Sequence, residues 1–449
     1  MPSKESVDLV IEPRWVLPIA PVNTALTDHA VAVTAGRIVA VAPTGQVNAR
    51  FEPRERVIRS AHALLPGFVN AHTRAATTLL RGLPVYGPRP HWMRETVLPV
   101  ARGCMSPDFI RDGTRLAMAE MLKAGITSFA DMYLFPEEAA RAASEARMRA
   151  AIGLPVTDGP TVWAETATGH LAKAEQLWDE YRSHPGVSLY FAPHSAFGES
   201  DQTLARVRRV ADELDARVAM YLAPAEVRDN AAGGGPLARL QELGLLGPGF
   251  TAIHLAVLTE EELDIAATTG ICVVACPQSH LRLGGGLSPA RRLESRQVSV
   301  GLGTDSASSV GALDILAEAR MAALLAGLDA GGDQDRRGDG RVGAAAAQTV
   351  LQMATLGGAT ALGMNSQVGS IEDGKAADLV CIDLGALACQ PTTRPAEAIL
   401  FGATRDQVSD VWTSGRAAVR DGHLLTFDEQ EMGALARRWA DRITTGVTS

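Results

Sequence analysis

Cysteine is scarce: five occur in 449 residues (Cys104, Cys272, Cys276, Cys381 and Cys389), an odd number without paired Cys-x-x-Cys spacing. That argues against a disulfide framework and for reduced core residues in a protein expected in the cytoplasm. Long apolar runs are missing too. No stretch of about 18 apolar residues occurs, and the opening MPSKESVDLVIEP carries no apolar segment of the signal-peptide kind. Neither export nor membrane spanning is expected. Positive charge is in short supply, with 42 Lys and Arg against 51 Asp and Glu for a formal net charge of −9, and no basic cluster is interleaved with aromatics. The chain therefore lacks an electrostatic footprint for nucleic acid or an anionic membrane surface. No internal repeat of fixed period stands out.

What is present is an ordinary globular balance, 46% hydrophobic and 21% charged residues, in a chain long enough to bury a large core. Residues 6 to 64 read as short strands with alternating apolar positions, VDLVIEP and then HAVAVTAGRIVAVAP with a turn at Gly36. The same texture returns in AADLVCIDL, 376 to 384, and in VSDVWTSGRAAVRDG, 408 to 422, where Ser414-Gly415 suits a hairpin turn. Between them, strand candidates at 65–72, 127–133, 148–156, 187–195, 217–224, 250–256, 271–277 and 298–305 alternate with helical patterns such as FIRDGTRLAMAEMLKAG and TLARVRRVADELDA. Eight strands alternating with helices predict an α/β fold of the (β/α)8 TIM-barrel type. The Gly/Asp/Arg-rich stretch 327–345 is expected as a mobile loop, and EQEMGALARRWADRI as an outer helix.

In a parallel barrel, chemistry sits at the C-terminal ends of the strands. This register places there His72 and Arg74, Asp131 and Met132, His194 and Ser195, Tyr221 to Pro224, His254, Cys276 to His280, and Asp305 with Ser306. A lone histidine in such a place reads as a satisfied core residue. Three histidines with an aspartate, all at strand ends, read as a site.

The segments LPGFVNAHTR (65–74), AEMLKAGITSFADMY (119–133), APHSAFGES (192–200), AIHLAVLTEEEL (252–263), GLGTDSASS (301–309), MATLGGATALGM (353–364), VGSIEDGKAADLV (368–380) and GRAAVRDG (415–422) resemble the amidohydrolase superfamily. The similarity is to the branch containing methylthioadenosine/S-adenosylhomocysteine deaminases and triazine hydrolases. It implies a distorted (β/α)8 barrel over 65–365, with residues 1–64 and 366–449 joining into one small composite β-sandwich and a terminal helix. It implies a homodimer and a small-molecule substrate. It also maps a metal ligand and proton acceptor onto Asp305, a histidine contacting substrate and water onto His254, and a substrate contact onto His194. The strand-one loop of the family, here RGLPVYGPRPHWMRETVLPV, implies substrate contacts from Trp92, His91 and Glu95, and the segment after strand seven implies them from Ser279 and His280.

The chain departs from that pattern at the metal. The family's first strand ends in His-x-His, and the second imidazole is replaced here by Arg74; the strand-five histidine maps onto Tyr221 and its glutamate onto Pro224, with Glu226 two residues away. A guanidinium is permanently charged and has no lone pair to give, so it cannot ligate a cation. The expectation is a metal-independent site with no cofactor, in which Arg74 donates to Asp305 and supplies the missing positive charge. Two alternatives stand beside it: Arg74 turned outward in a surface ion pair, and a single Zn or Fe held by an altered set, His72, His254 and Asp305. The catalytic candidates are Asp305, His254, Tyr221, Arg74 and His72. The activity expected is hydrolysis or deamination at a C–N bond of a cyclic or nucleoside-like molecule. A metal-free acid/base reaction of another class (elimination, cyclisation or isomerisation), or a non-catalytic binding role, is the alternative.

Overall fold

The computed structural model describes residues 4–85, 87, 89–222, 235–256, 258–287, 289–329 and 344–447. The alternating segments at the two ends of the chain form β1 (Glu5–Val16), β2 (Leu26–Thr27), β3 (His29–Thr34), β4 (Arg37–Pro43) and β5 (Phe51–Pro66), then β14 (Leu379–Asp383), β15 (Val408–Thr413), β16 (Arg416–Arg420) and β17 (His423–Leu424). They pair into a single nine-stranded sheet in which β5 and β14 join the two ends of the chain, Leu65 opposite Val380. Most pairs are antiparallel; β1 and β5 run parallel. Separate apolar clusters stabilise it, one around Ile11, Leu64, Leu379 and Trp412 and another around Val10, Ala32, Val47 and Phe51.

Between these halves lie β6 (Phe68–Thr73), β7 (Ile126–Asp131), β8 (Arg149–Val156), β9 (Val187–Pro193), β10 (Arg217–Leu222), β11 (Phe250–His254), β12 (Cys272–Ala275) and β13 (Ser299–Leu302). Each is hydrogen-bonded in parallel to the next in chain order. Every residue of β6 and of β7 is buried, the mark of a parallel strand covered on both faces, which is why these strands read as continuous apolar runs. The first predicted strand begins three residues late, because Leu65 and Pro66 are hydrogen-bonded to β14 as the end of β5. Helices cover the outside. That of Pro107–Lys123 is capped by Ser106, whose hydroxyl accepts from Phe109 N at 3.2 Å. The terminal helix Glu429–Val447 lies against it, Trp439 Nε1 donating to Asp112 at 3.0 Å. The predicted loop 327–345 falls between helices Ile315–Asp329 and Ala344–Gln352, and its residues 330–343 lie outside the described residues. Among the described residues no helix is long and apolar enough to cross a membrane.

The barrel is drawn shut between its first and last strands. Asp305 N donates to His72 O at 3.0 Å, and Asn70 and Thr304 exchange two hydrogen bonds of 2.9 and 3.0 Å. Gly303 permits this approach, since a Cβ there would stand 2.8 Å from His72 Cβ and 2.8 Å from His72 N. Gly303→Ala is expected to cost about 1–3 kcal/mol through overpacking, read as a lowered midpoint in denaturant unfolding, and an unchanged midpoint would show that the seam has slack.

Candidate active site

Three side chains converge at the seam. His72 comes from the end of β6, His254 is the last residue of β11, and Asp305 follows β13; one ligand atom from each lies within 4.8 Å of the others. His72 Nε2 is 3.7 Å from Asp305 Oδ1, and His254 Nε2 is 3.7 Å from Asp305 Oδ2. His254 and Asp305 hold positive φ values of 76° and 60°. Conformations of this kind cost on the order of 1–3 kcal/mol for residues other than glycine and gather at functional sites. Among the described residues, His72 Nδ1 and Nε2, His254 Nε2 and Asp305 Oδ1 are buried without a hydrogen-bond partner.

The electrostatics give these atoms defined charge states. Burial opposes ionisation of Asp305, yet the guanidinium of Arg89 and the His72 contact hold its carboxyl well below the usual range. Burial lowers the pKa of His72 and, further, of His254; Asp305 pulls the other way without reversing either shift. The centre is therefore two neutral imidazoles beside a carboxylate, and neutral imidazole and carboxylate are the forms that bind metal. His254 Nδ1 lies 2.8 Å from His280 Nε2. In the tautomer where Nδ1–H donates to His280, Nε2 presents its lone pair to the centre, an outer contact of the kind that fixes ligating histidines. Glu318, buried and accepting from Gln278 N at 3.0 Å, steadies the helix Pro277–Arg282 that carries His280 and Ser279.

The cation at Asp305 is Arg89. Its Nη1 donates to Asp305 Oδ2 at 3.1 Å, alongside Ser279 Oγ at 2.7 Å, and its guanidinium lies 4.4 Å over the ring of Tyr221. Tyr221 in turn packs edge-on against His254, the ring centroids 4.6 Å apart, and burial holds its phenol protonated, with a pKa raised to about 12. The expected Arg74–Asp305 bond is absent. After Thr73 the chain leaves the strand for the 3-10 turn Ala75–Leu80, and Arg74 there lines a neighbouring cavity with Met93, Met132, Tyr133 and His194. Arg89 carried no sequence signal: it opens the short helical turn Arg89–Trp92, in a segment too short to show periodicity.

The covering loop is also corrected. Trp92 is buried and donates to Pro84 O at 3.1 Å, anchoring the loop, while His91 and Glu95 are exposed and Glu95 pairs with Arg94 at 2.6 Å. Burying Trp92 turns the adjacent His91 outward, and Glu95, in the following turn Met93–Val97, is held at the surface by Arg94. His194, by contrast, lines the cavity that Arg74 faces. Pro224 and Glu226 lie outside the described residues.

Acid should loosen this centre. Desolvation, opposed by Asp305 and aided by Arg89, holds His280 at about 4, and His194 is lowered to about 4 by desolvation with Arg74 and Arg89. An unfolded imidazole takes up its proton near pH 6.5. Between about pH 6.5 and 4 the unfolded chain binds protons that the folded chain refuses, so stability rises with pH across that window and is lost as pH falls through it. Melting temperatures measured across the window should drop on acidification, and His280→Asn should flatten the drop by about one proton's worth of slope; an unaltered slope would assign the protons elsewhere.

Residues 63–418 match the model of the amidohydrolase family. The chain belongs to that family. A 5-methylthioadenosine/S-adenosylhomocysteine deaminase of Teredinibacter turnerae is 36% identical over 447 residues, covering 99% of each chain. A crystal structure of an adenosine deaminase from Xanthomonas campestris with bound zinc superposes with a TM-score of 0.94 at 41% identity, over 99% of this chain and 100% of that one. An atrazine chlorohydrolase from Arthrobacter aurescens complexed with zinc, 22% identical with a TM-score of 0.86 over 96% of this chain and 99% of that one, shares the fold.

These findings overturn the expectation of a cofactor-free site. Zinc is present in relatives of the same fold, and three buried, unpartnered donor atoms face one another here. The error was to count lost imidazoles: two neutral histidines and a carboxylate meet the three-ligand minimum of catalytic zinc. The residues present fit a metal ion, with His72, His254 and Asp305 to hold it.

Proposed function

We propose that this amidohydrolase-family enzyme is a metal-assisted hydrolase that removes an amino group from a small, nucleoside-like nitrogen heterocycle. The reading is supported by the full-length similarity to a 5-methylthioadenosine/S-adenosylhomocysteine deaminase and to an adenosine deaminase. The convergence of the buried donor atoms of His72, His254 and Asp305 carries it. A divalent ion bound there supplies Lewis acidity toward water at neutral pH. The chain's own residues do the rest. Asp305, ionised, takes the proton released as water adds to the ring carbon and returns it to the departing nitrogen. Arg89, donating to Oδ2, keeps that oxygen a weak base and so tunes the carboxylate as a proton acceptor. The neutral phenol of Tyr221 and the guanidinium of Arg89 can donate to charge developing on the ring.

The test is ammonia release from adenosine, 5-methylthioadenosine, S-adenosylhomocysteine and amino-triazines by zinc-loaded protein. Release from at least one, lost on chelation and restored by zinc, is expected. A protein that retains about one zinc per chain and releases ammonia from none of them would sink the reading.

A further inference from the structure

Resting on the reading just given, we infer that Arg74 is the anchor for a carboxylate on the ligand, placed beside the reacting centre, so that the preferred ligands are compact heterocyclic carboxylates. Arg74 faces a cavity of about 670 Å³ whose walls are mostly apolar, with Met93, Val97, Met132, Pro155 and Val162 among them. Its Nε is buried without a hydrogen-bond partner, and among the described residues no carboxylate is paired with it. Two other arginines with little exposure are paired, Arg89 with Asp305 at 3.1 Å and Arg149 with Asp378 at 3.2 Å, while Arg217, away from this cavity, shares with Arg74 buried nitrogens that lack a partner. A partly buried cation facing apolar walls is costly until an anion meets it.

The neighbours do not fill that role. Asp131, near enough to feel the charge of Arg74 but not hydrogen-bonded to it, accepts at Oδ1 from Ala75 N at 2.6 Å and from the hydroxyl of Thr73 at 3.3 Å. His194, which lines the same cavity, is uncharged at neutral pH, and the other polar side chains of the lining near it, Tyr133, Thr157 and Thr161, are neutral. Arg102 lines the same cavity from an exposed position, where it can draw anions toward the mouth.

The shape of the donor selects the anion. A guanidinium presents two parallel N–H groups that match the two oxygens of a carboxylate. A phosphate would leave further oxygens desolvated against methionine and valine, an unrecovered cost. Arg74 stands two residues beyond His72 at the same strand end, and its guanidinium lies 5.8 Å from the ring of Tyr221, which also packs on His254. A carboxylate held there lies on the same molecule as the group at the centre only if the two are close together. This excludes a carboxylate at the end of a long tail.

The experiment is calorimetric titration of zinc-loaded wild type, Arg74→Met and Arg74→Gln with purine-6-carboxylate, purine-6-carboxamide and inorganic phosphate, each variant first checked for an unchanged circular dichroism spectrum. Wild type should bind the carboxylate about tenfold more tightly than the carboxamide. Both variants should bring that ratio near unity while the carboxamide affinity stays put. Equal affinities in wild type, a preference that survives in both variants, or tight phosphate binding in place of carboxylate would overturn the anchor. Ammonia release from neutral amino heterocycles without any carboxylate preference would overturn the anchor and leave the proposed reaction standing; a carboxylate preference in a protein that releases no ammonia would do the reverse.

Discussion

Asp305→Asn is expected to lower kcat/KM by about three orders of magnitude or more and to leave the purified protein without zinc. One residue is being asked to do two things. Its Oδ1 is an unpartnered donor of the cluster, and its Oδ2 is the acceptor at which Ser279 and Arg89 converge. An amide keeps the shape but loses the charge that both tasks need. It also leaves the guanidinium of Arg89 buried without its counter-ion, so a modest loss of stability should accompany the change. Steady-state kinetics with elemental analysis on the same preparation separates the effects. Zinc retained with activity lost would assign Asp305 to proton transfer alone, whereas activity within tenfold of wild type would remove it from the chemistry.

Arg89→Met is expected to tighten zinc binding by at least one order of magnitude, an unusual direction for a substitution at an active site. A divalent ion held by Asp305 would be repelled by the guanidinium that donates to the same carboxylate, by an amount on the order of several kcal/mol. Solvent and side-chain relaxation relieve part of it, so the measurable part is smaller than that. The methionine keeps an apolar body to lie on Tyr221, which limits collateral change. Competition against a chromogenic chelator gives the affinity directly. Unchanged or weaker binding would mean that Arg89 orients Asp305 for the ion and does not contend with it. Turnover should fall in the same variant, because a donor toward the developing charge is gone.

The contrast between Arg74 and Arg89 marks how far the sequence reaches. Strand ends were legible because parallel strands covered on both faces leave an unmistakable apolar run, and so His72, His254 and Asp305 fall where the alternating pattern puts them. The need for a cation near Asp305 was legible as chemistry. Which residue provides it was not, since that depends on the backbone leaving β6 for a 3-10 turn and on a loop folding back over the barrel. His91 and Glu95 lie at the surface for a related reason: which residue of a short helix turns inward depends on the packing of Trp92 and on the Arg94–Glu95 pair, and sequence spacing alone does not say. The metal expectation failed because it compared positions with a family pattern and did not ask how many free lone pairs remained.

The hydrogen bond from Asp305 N to His72 O has a mechanical side. The two residues that would share an ion are also the two that button the first strand of the barrel to the last, 233 positions apart in the chain by their numbering, 305 less 72. Prying that junction open would separate the ligands, so an ion that grips both acts as a rivet through a hem. Loading with zinc should therefore raise the melting temperature, and hydrogen exchange at the amide of Asp305 should slow more than at strands on the far side of the barrel.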